Sequence, residues 1–146
     1  LERKKSILKE FKGDIVLTPH PGEMARLLGI EIKDVERDRI GIAKRFAKEN
    51  GVTVLLKGYN TIITDGDKVF VNPTGNSAMA SGGMGDTLTG IITSLISQGV
   101  NSFDAAILGA YIHGYIGDAL SKENFTVSAM EIIKNIPNKI KELISF

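Results

Sequence analysis

Thr74-Gly-Asn-Ser-Ala-Met-Ala-Ser-Gly-Gly-Met-Gly-Asp-Thr-Leu-Thr89 is the stretch around which the chain is organised. Four glycines, Gly75, Gly82, Gly83 and Gly85, surround two polar side chains, Asn76 and Asp86. An apolar helical pattern follows at once: Leu88, Ile91, Ile92, Leu95, Ile96. Glycine tolerates backbone conformations that other residues resist and lets a ligand approach the main chain. A helix start adds unpaired N–H groups and a partial positive charge. Loop and helix together therefore predict an anion site over Gly82–Gly85 with Asp86 beside it. The same features also fit a tight turn followed by an aspartate that stabilises the first helical turn. Two familiar nucleotide motifs are excluded. No Lys-Ser or Lys-Thr follows the last glycine, and the spacing does not match Gly-x-Gly-x-x-Gly after a strand.

Upstream, Ile15–Leu17 reads as a short buried strand, stopped by Thr18-Pro-His-Pro-Gly22. Prolines on both sides stiffen that loop around His20. In open α/β sheets ligands bind beyond the carboxyl ends of strands, which is where His20 falls. Capping of the next helix, expected to begin at Glu23, is the alternative role. Asp34 to Asn50 is predicted as one long helix with a stripe of Ile40, Ala43, Phe46 and Ala47. Val52–Leu56 is β-branched and apolar, suited to a central strand, and Lys57-Gly58 stands at its carboxyl end. Lys57 there can reach a phosphate or simply be solvated. Thr61–Thr64 and Lys68–Val71 form a hairpin across Asp65-Gly66-Asp67.

After the glycine stretch a helix is expected to Gln98, then another from Ser102 to Leu120. The second is small on one side (Ala105, Ala106, Gly109, Ala110, Gly114, Gly117), which predicts close packing on its neighbour. His113 within it reads as a packed structural histidine. Ser128-x-x-Glu131 is a capping box opening a last helix, in which Pro137 should cause a kink or break. A helix over residues 1–12 is predicted from Ile7, Leu8 and Phe11. Strands mixed with helices give a layered α/β domain, lopsided because few strands precede a long helical tail.

The 146 residues suffice for one domain with a core. Eighteen basic and 17 acidic residues leave a net charge of +1, with no basic tract for nucleic acid. The absence of cysteine excludes disulfides and thiolate metal sites. No signal peptide and no apolar run of about 18 residues is visible, so a cytoplasmic protein without membrane contact is expected.

Three blocks, in order, resemble the ADP/ATP-dependent NAD(P)H-hydrate dehydratases of the ribokinase-like superfamily. They are Thr18-Pro-His-Pro-Gly-Glu23, Lys57-Gly-x-x-Thr61, and Asn72-x-Thr-Gly-Asn76 followed by Ala80-Ser-Gly-Gly-Met-Gly-Asp86. The chain departs from that pattern twice: Ser77-Ala78 stands where Pro-Gly is usual, and Met84 where Thr is common. The resemblance implies a ribokinase-like α/β fold, with residues 1–146 as the carboxyl-terminal portion of a larger domain. It implies repair of hydrated NADH or NADPH by phosphorylation of the ring hydroxyl and loss of phosphate. ADP or ATP would be the donor, and Mg²⁺ would be held by phosphates and water rather than by a protein cage.

Residue roles are carried over from the same resemblance. Asp86 is the base and a substrate contact, and His20 a second substrate contact. Lys57, Gly58, Tyr59, Asn60, Thr61 and Gly85 bind the nucleotide. Asn76, Gly82 and Gly83 shape the anion pocket. A homo-oligomer, with a tetramer as its form, and a fused or paired epimerase are further expectations. A small-molecule kinase of the same superfamily, or a nucleotide-binding fragment without turnover, are the alternatives.

Overall fold

The computed structural model describes residues 13–145 together with Leu8, Glu10 and Phe11. The helix expected over 1–12 therefore lies largely outside the described residues. The described elements run β1 (Val16–Leu17), α1 (Pro21–Leu28), α2 (Ile32–Arg37), α3 (Arg39–Asn50), β2 (Thr53–Leu56), β3 (Ile62–Thr64) and β4 (Val69–Val71). A 3₁₀ turn (Ser77–Met79), α4 (Met84–Ser97), α5 (Ser102–Leu120) and α6 (Ala129–Ile144) follow.

The sheet order is β1-β2-β3-β4. β1 pairs parallel with β2, Val16 opposite Thr53; β2–β3 and β3–β4 are antiparallel, with Leu55 opposite Ile63 and Ile63 opposite Phe70. All residues of β2 and β3 are buried. Successive side chains leave a strand on opposite faces. Val54 and Leu56 accordingly join Met24, Val35, Ile42 and Phe46 on one face, while Leu55 joins Leu88, Ile92, Ala105 and Ala106 on the other. Helices α1–α3 cover the first face and α4–α5 the second, so the narrow sheet sits inside a three-layer α/β/α arrangement. A third cluster, Met84, Ile116, Val127 and Ile132, ties the start of α4 to α5 and α6. Among the described residues no helix is long and apolar enough to cross a membrane.

Three expectations need correction. The stretch 34–50 is two helices, divided at Asp38 (φ −139°, ψ 58°), whose carboxylate accepts from Gly41 N at 3.0 Å. Aspartate competes with helical hydrogen bonding through its own side chain and so favours a cap. Helix α1 starts two residues early, because Pro21 occupies the first helical position, where its missing N–H costs nothing. Of the kink or break expected at Pro137, the break does not occur: α6 continues to Ile144. The lost hydrogen bond at Pro137 is outweighed by the capping box at Ser128–Glu131 and by Ile132 and Ile136 packing into the third cluster.

The small face of α5 does pack closely. A methyl added at Gly109 would stand 2.6 Å from Ile92 Cγ1. That face is filled inside the chain, by α4 and by the loop before it.

Candidate functional site

Four segments meet at one end of the sheet: the loop after β1, the turn after β2, the loop after β4 and the amino terminus of α4. Lys57 follows the last residue of β2, and its N–H donates to Pro19 O at 2.8 Å, fixing the turn to the His20 loop. Asn60 is the one non-glycine residue with a left-handed backbone among those described (φ 52°), and Gly58 is at φ 141°. This strained turn is clamped by a residue the sequence does not announce. Arg39, first in α3, donates to the carbonyls of Tyr59 (2.7 Å), Lys57 (3.2 Å) and Leu56 (3.4 Å).

The loop 72–76 is held from α5. Asn72 Nδ2 donates to Ala110 O (3.3 Å), Thr74 Oγ1 to Tyr111 O (3.1 Å), and Gly75 N to Asp118 Oδ2 (2.9 Å). Asn76 Nδ2 donates to Asp118 Oδ1 at 2.7 Å, while Asn76 Oδ1 accepts from Ala78 N. The glycine loop that follows is pinned by Ser81 Oγ to Val127 O at 2.8 Å. Gly83 is left-handed (φ 83°) at the cap position of α4, and no side chain caps this helix start. Met84, where the resemblance led to a threonine, is buried in the third core cluster.

These parts enclose a cavity of about 360 Å³. Lys57, Gly58, Tyr59, Asn60, Thr61, Asn76 and Gly85, all singled out from the sequence, line it. Lys57 Nζ lies 3.4 Å from where a side chain on Gly85 would begin, so the absence of one leaves room for the ammonium against the start of α4. An uncapped helix start facing a lysine across a cavity is a binding arrangement for phosphate or another anion.

The other four residues lie outside that lining. Gly82 and Gly83 form the exposed approach to α4. Asp86 is exposed in the first turn of α4 and opens onto a separate groove of about 480 Å³ between α4 and α6, lined also by Ile91, Leu95, Ile112, Ile133 and Ile136. His20 caps α1: its Nδ1 accepts from Gly22 N (3.1 Å) and Glu23 N (3.2 Å). The ring proton is thereby left to Nε2, 3.5 Å from Glu23 Oε1. Glu23 Oε2 in turn accepts from His20 N at 2.7 Å and stands 3.7 Å from Lys57 Nζ. The His20 N–H holds the Glu23 carboxyl below its usual range, with Lys57 adding to the effect against a smaller burial cost. Glu23 thus links the His20 loop to the cavity lysine.

Arg39, Asp118 and His113 are the site residues that sequence reasoning missed. Arg39 and Asp118 lie 17–20 and 42–43 residues from the backbone and side-chain groups they hold, so no local spacing could reveal them. Asp118→Ala would strand Gly75 N and release Asn76. Loss of a partner to a part-buried donor costs about 1–3 kcal/mol, and we expect most of it to appear as weaker nucleotide binding. Titration calorimetry with ADP beside a thermal melt tests this; a lowered melting temperature with unchanged ADP affinity would make Asp118 merely structural.

His113 was read as a packed histidine, and it is buried, but it also lines the cavity. Burial lowers its pKa from 6.5 to about 4. The unfolded chain therefore takes up a proton below pH 6.5 that the folded state refuses until about pH 4. Stability present above pH 6.5 is lost as the pH falls through that window, by about 3 kcal/mol at its lower end. Thermal melts from neutral pH down to about pH 4 should show a fall that is smaller in His113→Gln. Equal slopes for the two proteins would refute the assignment.

The fold agrees with comparisons to known proteins. Residues 1–138 match the model of the NAD(P)H-hydrate dehydratase family. The chain is 49% identical over 118 residues to the bifunctional NAD(P)H-hydrate repair enzyme of Moorella thermoacetica, covering 80% of this chain and 22% of that protein. It is 43% identical over 117 residues to the ADP-dependent (S)-NAD(P)H-hydrate dehydratase of Neisseria meningitidis, covering 80% of this chain and 39% of that one. Among solved structures, the ADP/ATP-dependent NAD(P)H-hydrate dehydratase of Bacillus subtilis, co-crystallised with ATP and Mg²⁺, superimposes with a TM-score of 0.85. The two share 34% identity over 91% of this chain and 49% of the other. The chain thus spans about half of that solved relative and less of the curated ones. With its ribokinase-like α/β architecture and a matching family model over nearly its whole length, the chain belongs to the NAD(P)H-hydrate dehydratase family.

Proposed function

We propose that the chain is the nucleotide-binding, carboxyl-terminal part of an ADP- or ATP-dependent NAD(P)H-hydrate dehydratase domain. The observation that carries this reading is the cavity in which the Lys57 ammonium meets the uncapped, glycine-lined start of α4. The nucleotide lies in that cavity with its phosphates toward Lys57 and Gly85. The hydrated nicotinamide lies on the outer side of the α4 start, between Asp86 and His20.

The ring hydroxyl attacks the terminal phosphorus, the bond to the departing nucleotide breaks, and the hydroxyl proton passes to Asp86. The bond between the ring carbon and the oxygen that now carries the phosphoryl group then breaks. Phosphate leaves with the bonding electrons, and loss of a ring proton restores the double bond of the reduced nicotinamide. Lys57 and the N–H groups at the start of α4 stabilise the charge on the transferring oxygens, which is the main demand of phosphoryl transfer. Tyr59, Asn60 and Thr61, fixed by Arg39, hold the nucleotide against the cavity wall.

Among the described residues no three acidic or histidine side chains converge as a metal cage. That donor set suits Mg²⁺ held mostly by diphosphate oxygens and water, with Glu23 and Asp86 the acidic groups at hand. Bound there, the ion would offset phosphate charge. The homo-oligomer expected from the family draws no support from the small face of α5, which is filled internally. A partner epimerase and a cytoplasmic location belong to the same proposal.

The test is recovery of reduced-nicotinamide absorbance from hydrated NADH or NADPH by the whole dehydratase, with Mg²⁺ and either ADP or ATP. Recovery that requires one nucleotide and releases phosphate in step supports the reading and names the donor. A stable phosphorylated alcohol with no phosphate release would point to a small-molecule kinase instead.

A further inference from the structure

The residues lining the cavity fall into two chemically different groups. One is Lys57 with Gly85, whose Nζ and added-methyl position stand 3.4 Å apart. The other belongs to the loop after β4 and to α5: Asn72, Thr74 and His113. There the polar side-chain atoms of Asn72 and Thr74 are occupied: Asn72 Nδ2 by the carbonyls of Thr74 and Ala110, Asn72 Oδ1 by Thr74 Oγ1, and Thr74 Oγ1 also by Tyr111 O. His113 is the exception. It is only 9% exposed, and its Nε2 is buried with no hydrogen-bond partner among the described residues. The other such buried atom described, Arg39 Nε, lies 4.0 Å from the Glu36 carboxylate and so has a charge to face. His113 has none.

Buried polar groups in native proteins are nearly always paired, so an orphan nitrogen on a side chain that lines a cavity calls for a partner brought there once the ring turns toward it. Half a turn about the outer ring bond exchanges nitrogens with carbons at no change of shape, so the ring can meet a donor or an acceptor. The kind of partner is limited by charge. Burial keeps this ring uncharged at neutral pH, and an uncharged imidazole offers one donor and one acceptor rather than a counter-ion. Phosphate is better served by Lys57 and the start of α4.

We propose that His113 recognises the uncharged nucleoside end of the bound nucleotide, by a hydrogen bond from its ring to the base or the ribose. This rests on the nucleotide reading above and adds to it the direction in which the nucleotide lies: phosphates at Lys57, nucleoside at α5. It also gives the site a residue that separates a nucleotide from a bare polyphosphate.

The intact protein tests it with ADP and inorganic pyrophosphate as probes. The chain has two histidines, so ¹⁵N ring signals are simply assigned. ADP should shift the His113 ring nitrogens and pyrophosphate should not. His113→Phe should weaken ADP about five- to tenfold, the loss expected for one neutral hydrogen bond, and leave pyrophosphate unchanged. His113→Gln should recover part of the loss. If the Phe variant does not fold, the ring signals of the unaltered protein decide. ADP binding with silent His113 nitrogens overturns this inference alone, as does an equal loss of both probes in a folded variant. Failure of the unaltered protein to bind ADP overturns the inference and the nucleotide reading together.

Discussion

Asp86→Asn is expected to lower turnover of hydrated NADH by about 10²–10⁴-fold, the usual contribution of a positioned general base, while nucleotide binding stays near its original strength. Asp86 sits in the first turn of α4, one residue beyond Gly85, and is exposed. It does not line the cavity that holds Lys57 but opens onto the groove between α4 and α6, and the proposed reading brings the second substrate to this outer side of the helix start. Asparagine keeps the shape and a polar group near the helix start but cannot take a proton. The cost to folding is small, because a charge near a helix start is worth only about 0.3–1 kcal/mol. The measurement is the initial rate of absorbance recovery by the whole dehydratase, beside ADP titration of the same preparation. Near-normal turnover would remove Asp86 from the chemistry. Lost ADP binding would place it with the nucleotide instead.

Gly114→Ala should have the largest effect on folding and on the cavity at once. A methyl there would stand 2.6 Å from the carbonyl carbon of Thr74 and 2.8 Å from Gly75 N. Both are backbone atoms, which cannot turn aside as the end of a side chain can. Either α5 or the 74–76 loop must move. Overpacking of this kind costs about 1–3 kcal/mol. Moving the loop also breaks the bonds from Thr74 to Tyr111 O and from Gly75 and Asn76 to Asp118, which set one wall of the cavity. A lower melting temperature should therefore come with a marked loss of ADP affinity. Gly90→Ala is the control on the adjacent helix, since nothing lies within 4 Å of a methyl at that position. If Gly114→Ala melts like the original and binds ADP equally well, the close approach of α5 to the loop is not a constraint on the site.

The loop Thr74–Asp86 was legible because its information is local. Glycines, an aspartate and an apolar period are neighbours in the chain, and their meaning needs no distant partner. Lys57 was legible for the same reason, standing directly after a β-branched strand. The break at Asp38 was a matter of balance: one side chain capping locally outweighed the helical period that runs through it. Pro137 went the other way, its local signal overridden by the packing of Ile132 and Ile136.

An α/β domain, the order of its elements, the glycine loop opening onto a helix and the family resemblance all follow from the residues in chain order. Each of these depends on periodicity, turn chemistry or short motifs, all written within a few residues. It takes the packed fold to show that Arg39 clamps the Lys57 turn, that Asp118 holds Gly75 and Asn76, and that Glu23 joins His20 to Lys57. It alone placed His113 in the cavity wall and Asp86 outside it. These depend on which helix face lies against which loop. That is set by the packing of Gly109 on Ile92 and of Gly114 on Thr74: the small stripe of α5 shows in its spacing, but its partners stand 17 and 40 positions away and do not.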